Sequence, residues 1–184
     1  MPGGGVWADA ASRAQPIRWK ERVLAQVDRA NAVLKAQFGV RLEPGEPLAW
    51  DHRGRGDDLE AALADLAAVD EGRGADWVIG FVSALPFFPD SPHLLGMAQY
   101  FGRHLVLRGM DQLAELQAID APCDKLPAQE REQLARERRL HRETALLLHE
   151  WAHTLGAFHE RSGESIMHVS YGHRVSGFSA PSVE

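Results

Sequence analysis

A chain of 184 residues is long enough for one domain with a sizeable core, and its hydrophobic (45%) and charged (25%) fractions are those of an ordinary globular protein. Twenty basic against twenty-six acidic residues leave a net charge of −6, with no basic stripe interleaved with aromatics, which argues against nucleic-acid binding. No apolar run approaches the ~20 residues of a membrane span, the opening Met-Pro-Gly-Gly-Gly lacks the layout of a signal peptide, and the single cysteine, Cys123, excludes an internal disulfide.

Residues 1–16 are rich in Gly and Ala without periodicity and read as a flexible lead-in to a single domain over 17–184. Val23, Val27, Ala30, Leu34 and Phe38 then recur at helical spacing and predict a long amphipathic helix that Gly39 stops. Val40-Arg41-Leu42 alternates like a short strand, which Leu48-Ala49-Trp50 resumes after a proline-rich interruption. His52 falls in a polar loop and reads as solvated. Asp57, with Glu60 three residues on, resembles a capping box for a helix striped by Leu59, Leu63, Leu66 and Val69. The nearly continuous apolar run from Trp77 to Val82 predicts a strand covered on both faces. After a proline-rich loop at 86–92, Leu94 to Gln99 and His104 to Arg108 predict two more strands joined through Gly102-Arg103. His93 and His104 read as structural, and Cys123 as a buried or half-buried thiol. Residues 111–119 form a short helical piece, and from Ala128 opposite charges such as Glu132 and Arg136 predict a solvated helix. That helix turns apolar at Ala145 and runs unbroken to Leu155, with Leu148, Trp151, Ala152 and Leu155 toward the sheet.

On this last helix His149 and His153 stand four apart, so they share a face and can offer two imidazoles to one metal, with Glu150 beside them. Gly156 can take a positive φ, end the helix and return His159 as a third ligand. Three neutral nitrogens leave a tetrahedral Zn²⁺ with one open position, the arrangement of a catalytic rather than a structural zinc site.

The pattern H-E-x-x-H-x-x-G-x-x-H, followed by Met167 in Ser165-Ile166-Met167-His168, resembles the metzincin clan of zinc endopeptidases and its Met-turn. Glu160, after the third histidine, looks like the astacins, whereas the short gap from His159 to Met167 looks more like matrixins or serralysins. The resemblance implies a zincin-like α+β fold: a twisted, mostly parallel sheet with an antiparallel edge strand, packed on a long N-terminal helix and the active-site helix. It implies Leu95 to Tyr100 as the edge on which a peptide substrate binds as an added strand, Met167 as an apolar floor under the metal, and an extracellular or cell-envelope location. Astacins and serralysins carry a tyrosine near the metal two residues after this methionine. Here that position is Val169, and Tyr171, four residues after, is the candidate supporting residue, either reaching the metal or the oxyanion in its stead or simply packing. Metzincins carry a further helix beyond the Met-turn; only seventeen residues follow Met167, so the domain reads as incomplete at that end.

The chemistry expected is peptide hydrolysis. The metal polarises the carbonyl and acidifies a water, whose proton Glu150 takes and hands to the leaving amine. Two rivals are a zinc-dependent amide hydrolase acting on a non-protein substrate and a zinc-stabilised binding module without turnover. Glu150 argues against the second, because a purely structural site has no use for a carboxylate beside its metal.

Overall fold

The structure, a computed structural model, describes residues 5–8, 18–52, 58–82, 95–110, 112–120, 123–172, 175 and 177–179. Five strands, β1 (Gly5–Ala8), β2 (Leu48–Ala49), β3 (Val78–Val82), β4 (Gly96–Ala98) and β5 (His104–Arg108), form one sheet in the order β2-β1-β3-β5-β4. All neighbouring pairs are parallel except β4 on β5, which is antiparallel and puts β4 on an edge. This is the mixed, mostly parallel α+β sheet expected.

The two-residue period of the strands divides the core. Ile79, Phe81, Leu105 and Leu107 point to one face, where they meet α1 (Trp19–Phe38) and the last turns of α4 (Ala128–Thr154). Val78, Val82 and Val106 point to the other, under α2 (Leu59–Val69) and Trp50. Every residue of β3 and β5 is therefore buried, which is why both read as runs without polar alternation. The remaining helix, α3 (Gln112–Asp120), packs on α4. Among the described residues no helix is long and apolar enough to cross a membrane.

Several expectations require correction. The lead-in assigned to residues 1–16 contains β1, which lies between β2 and β3 with Val6 and Ala8 fully buried. Four residues among glycines are too few to display a period. Val40–Leu42 makes no strand, because the Asn31 side chain on α1 accepts from Leu42 N (2.7 Å) and donates to Leu42 O (2.9 Å), taking the place of a ladder partner. The cap of α2 is Asp58, whose side chain accepts from Ala61 N, and Asp57 lies outside the described residues. His52 is not solvated: its side chain is buried, with Nδ1 3.2 Å from Asp65 Oδ2, which also accepts from Trp50 Nε1. Leu155 caps α4 and is exposed. The polar half of α4 is not uniformly solvated either, since Arg142 and Glu143 are buried. The proline-rich loop at 86–92 and His93 lie outside the described residues.

Candidate metal site

α4 carries His149, Glu150 and His153 to the end of the sheet where β4 forms the edge. The helix stops at Thr154, and Gly156, at φ 92°, turns the chain back. A Cβ there would be strained by that φ and would also run into the Phe101 ring. The reversal has a chemical product: it brings the Ala157 carbonyl to 2.7 Å from His153 Nδ1 and returns His159 to the helix. The segment around Met167 does the same for the first histidine. Met167 is fully buried in the core, Ile166 N donates to Gly177 O, and the Ile166 carbonyl lies 2.7 Å from His149 Nδ1.

Each of these two imidazoles must donate Nδ1–H to its carbonyl, which leaves the Nε2 lone pairs exposed to one another. The three Nε2 atoms form a triangle with sides of 3.0 Å (His149 to His153), 3.1 Å (His149 to His159) and 3.2 Å (His153 to His159). The 3.0 Å side joins two acceptors, so neutral rings form no hydrogen bond across it. A cation at the focus satisfies all three. Tetrahedral ligands about 2.05 Å from zinc lie roughly 3.3 Å apart, close to what is seen. The donor set therefore fits zinc, and carbonyls hold the ligand rings from behind in the usual outer-shell manner.

Burial sets the electrostatics. Desolvation lowers the pKa of His149 to about 4, against the Ile166 hydrogen bond and with His153 and His159 adding repulsion, and it lowers His153 as well. Rings that resist protonation remain available as ligands. Glu150, 5% exposed, is pushed up to about 8 by burial. A metal ion held by the triad would oppose that rise.

These groups line a cavity of about 300 Å³. One wall is β4 with Tyr100, whose ring lies 4.7 Å from that of His153. Gly96 faces Glu150 so closely that a Cβ on it would sit 2.7 Å from Glu150 Cγ and Oε1. The other walls come from α4 and from the segment after Ser165. Met167 is not among the lining residues; it supports the segment from the core. Tyr171 lines the cavity, but its hydroxyl lies 2.5 Å from His141 Nδ1. Since His141 Nε2 must donate to Val175 O, the phenol is the donor in that pair. Burial raises the Tyr171 pKa further.

Motif reading thus brings together His149, His153, His159 and Glu150. It misses Arg142, which lines the same cavity. The signal was available: Arg142 is seven positions before His149, two helical turns, and so on the same face. Cys123 is a half-buried free thiol outside the histidine group.

No model of a known protein family matches the chain, and no curated protein matches it in sequence. Solved structures do. An archaemetzincin from Methanopyrus kandleri is 19% identical with a TM-score of 0.56, over 98% of this chain and 91% of that one. Metalloproteinase-II from Bacteroides fragilis is 15% identical with a TM-score of 0.56, over 98% of this chain and 51% of that one. An archaemetzincin from Archaeoglobus fulgidus, complexed with malonate, is 15% identical with a TM-score of 0.50, over 97% of each chain. Neither an astacin nor a matrixin stands among these three, so the subfamily features read from Glu160 and from the methionine spacing gain no support. At this identity the likeness shows the fold: the chain has a zincin-like α+β architecture similar to that of archaemetzincins.

Proposed function

We propose that this chain is a zinc-dependent metalloendopeptidase. The observation that carries the reading is the convergence of three Nε2 atoms, each pair within 3.2 Å, beside a buried carboxylate and an edge strand. His149, His153 and His159 would hold the metal, which when bound supplies Lewis acidity to the scissile carbonyl and to water.

Glu150 moves the protons. It takes one from the attacking water and returns it to the departing amine, and its burial makes it a stronger base than an exposed carboxylate. The carbonyls of Ala157 and Ile166 keep His153 and His149 in the ligating tautomer. Gly96 to Ala98 pair with β5 on one side; their main-chain groups on the other pair with an extended peptide as an added strand. Met167 holds the segment that bears the Ile166 carbonyl, and Tyr171 shapes the cavity beyond the ligands.

The test combines metal analysis with mass spectrometry of a mixed peptide library. Wild type is expected to hold about one zinc per chain and to cut internal bonds. Glu150→Gln should keep the zinc and lose roughly 10² to 10⁴ in rate. Wild type that binds zinc but cleaves no peptide would refute the reading, and cleavage of small non-peptide amides instead would redirect it to the amide-hydrolase alternative.

A further inference from the structure

We propose that the cavity ends in a carboxylate-binding subsite built on Arg142 and Tyr171, selecting substrates that carry an anionic group next to the bond to be cut. This rests on the hydrolase reading above and adds a substrate class to it. The carboxylate can come from an acidic side chain or from the free C-terminus of a short peptide.

Placement comes first. Arg142 lies two helical turns before His149, about 10 Å along α4, on the face that lines the cavity. Its guanidinium lies 4.6 Å from the centre of the Tyr171 ring, and Tyr171 is itself fixed by the hydrogen bond to His141, whose other nitrogen is held by Val175 O. The cationic fork is thus pre-organised at one depth of the cavity rather than swinging on a loose stem.

Charge balance comes second. Arg142 NH1 is 3.0 Å from Glu115 Oε1 on α3, and Arg138 Nε is 4.0 Å from the other carboxylate oxygen, so two arginines share one acid. Glu115 is wholly buried and does not line the cavity, whereas Arg142 does. Burial also raises the Glu115 pKa, against the pull of Arg142 first and Arg138 second. Among the described lining residues, Glu150 is the one carboxylate and Arg142 the one lysine or arginine. The basic pole therefore faces inward and its counter-ion faces away.

Much of the remaining lining is apolar, with Ala145, Leu146, Ile166 and Val175 beside the polar Ser165, His168 and Ser170. Apolar lining of this kind lowers the local dielectric and strengthens the attraction of Arg142 for an anion. With NH1 turned to Glu115, a carboxylate at this end of the cavity meets the rest of the guanidinium and gains a charge-assisted interaction that an amide cannot equal. At about 300 Å³ the space suits one side chain or one terminal residue, not a long segment.

The test uses zinc-loaded protein and peptide pairs that differ only by Glu against Gln at each position flanking the cut, together with free-acid and amidated C-termini. Wild type is expected to prefer the acid at one of these places by about tenfold or more in kcat/KM. A preference confined to an internal position identifies a side-chain subsite, and one confined to the free terminus identifies a terminal-carboxylate subsite. The double variant Glu115→Gln/Arg142→Gln strips the pole without leaving an unpaired buried charge, and should bring the acid-to-amide ratio within about threefold of one. Arg142→Lys keeps a charge but loses the fork, and should give an intermediate ratio if the double variant does not fold. A merely structural Arg142 would lower cleavage of acid and amide peptides alike and leave the ratio unchanged, which overturns the inference; so does a wild-type ratio near one at every position. Calorimetric affinities of Glu150→Gln for the acid and amide peptides separate the two readings. Tighter binding of the acid form by a protein whose wild type cleaves nothing would sink the peptidase reading and keep the subsite, whereas brisk cleavage with equal affinities would do the reverse.

Discussion

Adding one methyl group to Gly96 should disable proton transfer while leaving the metal in place. In Gly96→Ala the new Cβ would lie 2.7 Å from Glu150 Cγ and Oε1 and 2.9 Å from Cδ. Comfortable contact begins near 3.5 Å, so the strand and the side chain must separate by roughly 0.8 Å. Neither moves freely. Gly96 is held opposite Leu107 by the β4–β5 ladder, and Glu150 is 5% exposed on a helix whose neighbouring positions carry two histidines of the triad. A misplacement of about 1 Å at a reacting group costs on the order of 10² in rate. The expected loss in kcat is therefore about 10- to 100-fold, with overpacking taking roughly 1–3 kcal/mol from stability. The assay is kcat and KM on a peptide that wild type cleaves, with zinc content and melting temperature measured on the same preparation. If β4 gives way instead of Glu150, the loss moves into KM, because that strand is the proposed substrate edge. Wild-type kcat and KM in a folded, zinc-loaded Gly96→Ala protein would refute both the assignment of Glu150 as base and its contact with the edge.

His153→Ala should strip the zinc, whereas Cys123→Ser should retain it, as read by metal analysis after dialysis; the opposite dependence would mean the ligand set is wrong. Glu115→Ala leaves Arg142 buried without its carboxylate and should cost about 3–5 kcal/mol in a denaturant titration, while the double change to glutamines should cost much less. Asp58→Ala removes the α2 cap and should cost about 1 kcal/mol. Two opposed groups at the site should contribute to the pH dependence of the metal-free protein's stability. His149, lowered from 6.5 to about 4, takes up protons more readily unfolded than folded, so stability falls as pH drops from 6.5 toward 4. Glu150, raised from 4.5 to about 8, holds its proton more tightly folded, so stability falls as pH rises through that range. Between pH 6.5 and 8 the effect of His149 is absent and that of Glu150 operates. Wild type should lose stability there more steeply than Glu150→Gln; equal slopes would mean that Glu150 is not buried as an acid.

What could be read from the sequence was local. The stripes of α1 and α2, the apolar runs of β3 and β5, the unbroken α4 and the motif with its turning glycine all lie within windows of about twenty residues, and periodicity or spacing reports each of them. What could not be read depends on partners far along the chain. β1 is only four residues long and is a strand because β2 and β3 flank it. Arg142 and Glu143 look solvated by their charges. They are buried because Glu115, on another helix, and Arg29, 114 positions away, come to meet them. His52 is drawn inward by Asp65 in the same way. Paired burial of polar groups leaves no periodic trace, so charge alone predicts exposure and is wrong wherever its counterpart is distant.

The supports of the metal triad are mostly backbone. His149 and His153 are oriented by the carbonyls of Ile166 and Ala157, His159 is returned by the positive φ of Gly156, and Glu150 fits because Gly96 has no side chain. Carbonyl oxygens are present whatever the residue, so such a site constrains few identities beyond the histidines, the glutamate and two glycines. The sheet beneath asks only for apolar residues of suitable volume on each face. A fold of this kind can hold its shape at 15–19% identity over nearly the whole chain, as the three solved structures do. The cost is carried by the triad, where the Nε2 lone pairs of His149 and His153 face one another at 3.0 Å. A bound cation would relieve that crowding, so added zinc should raise the melting temperature of wild type and should not do so for His153→Ala.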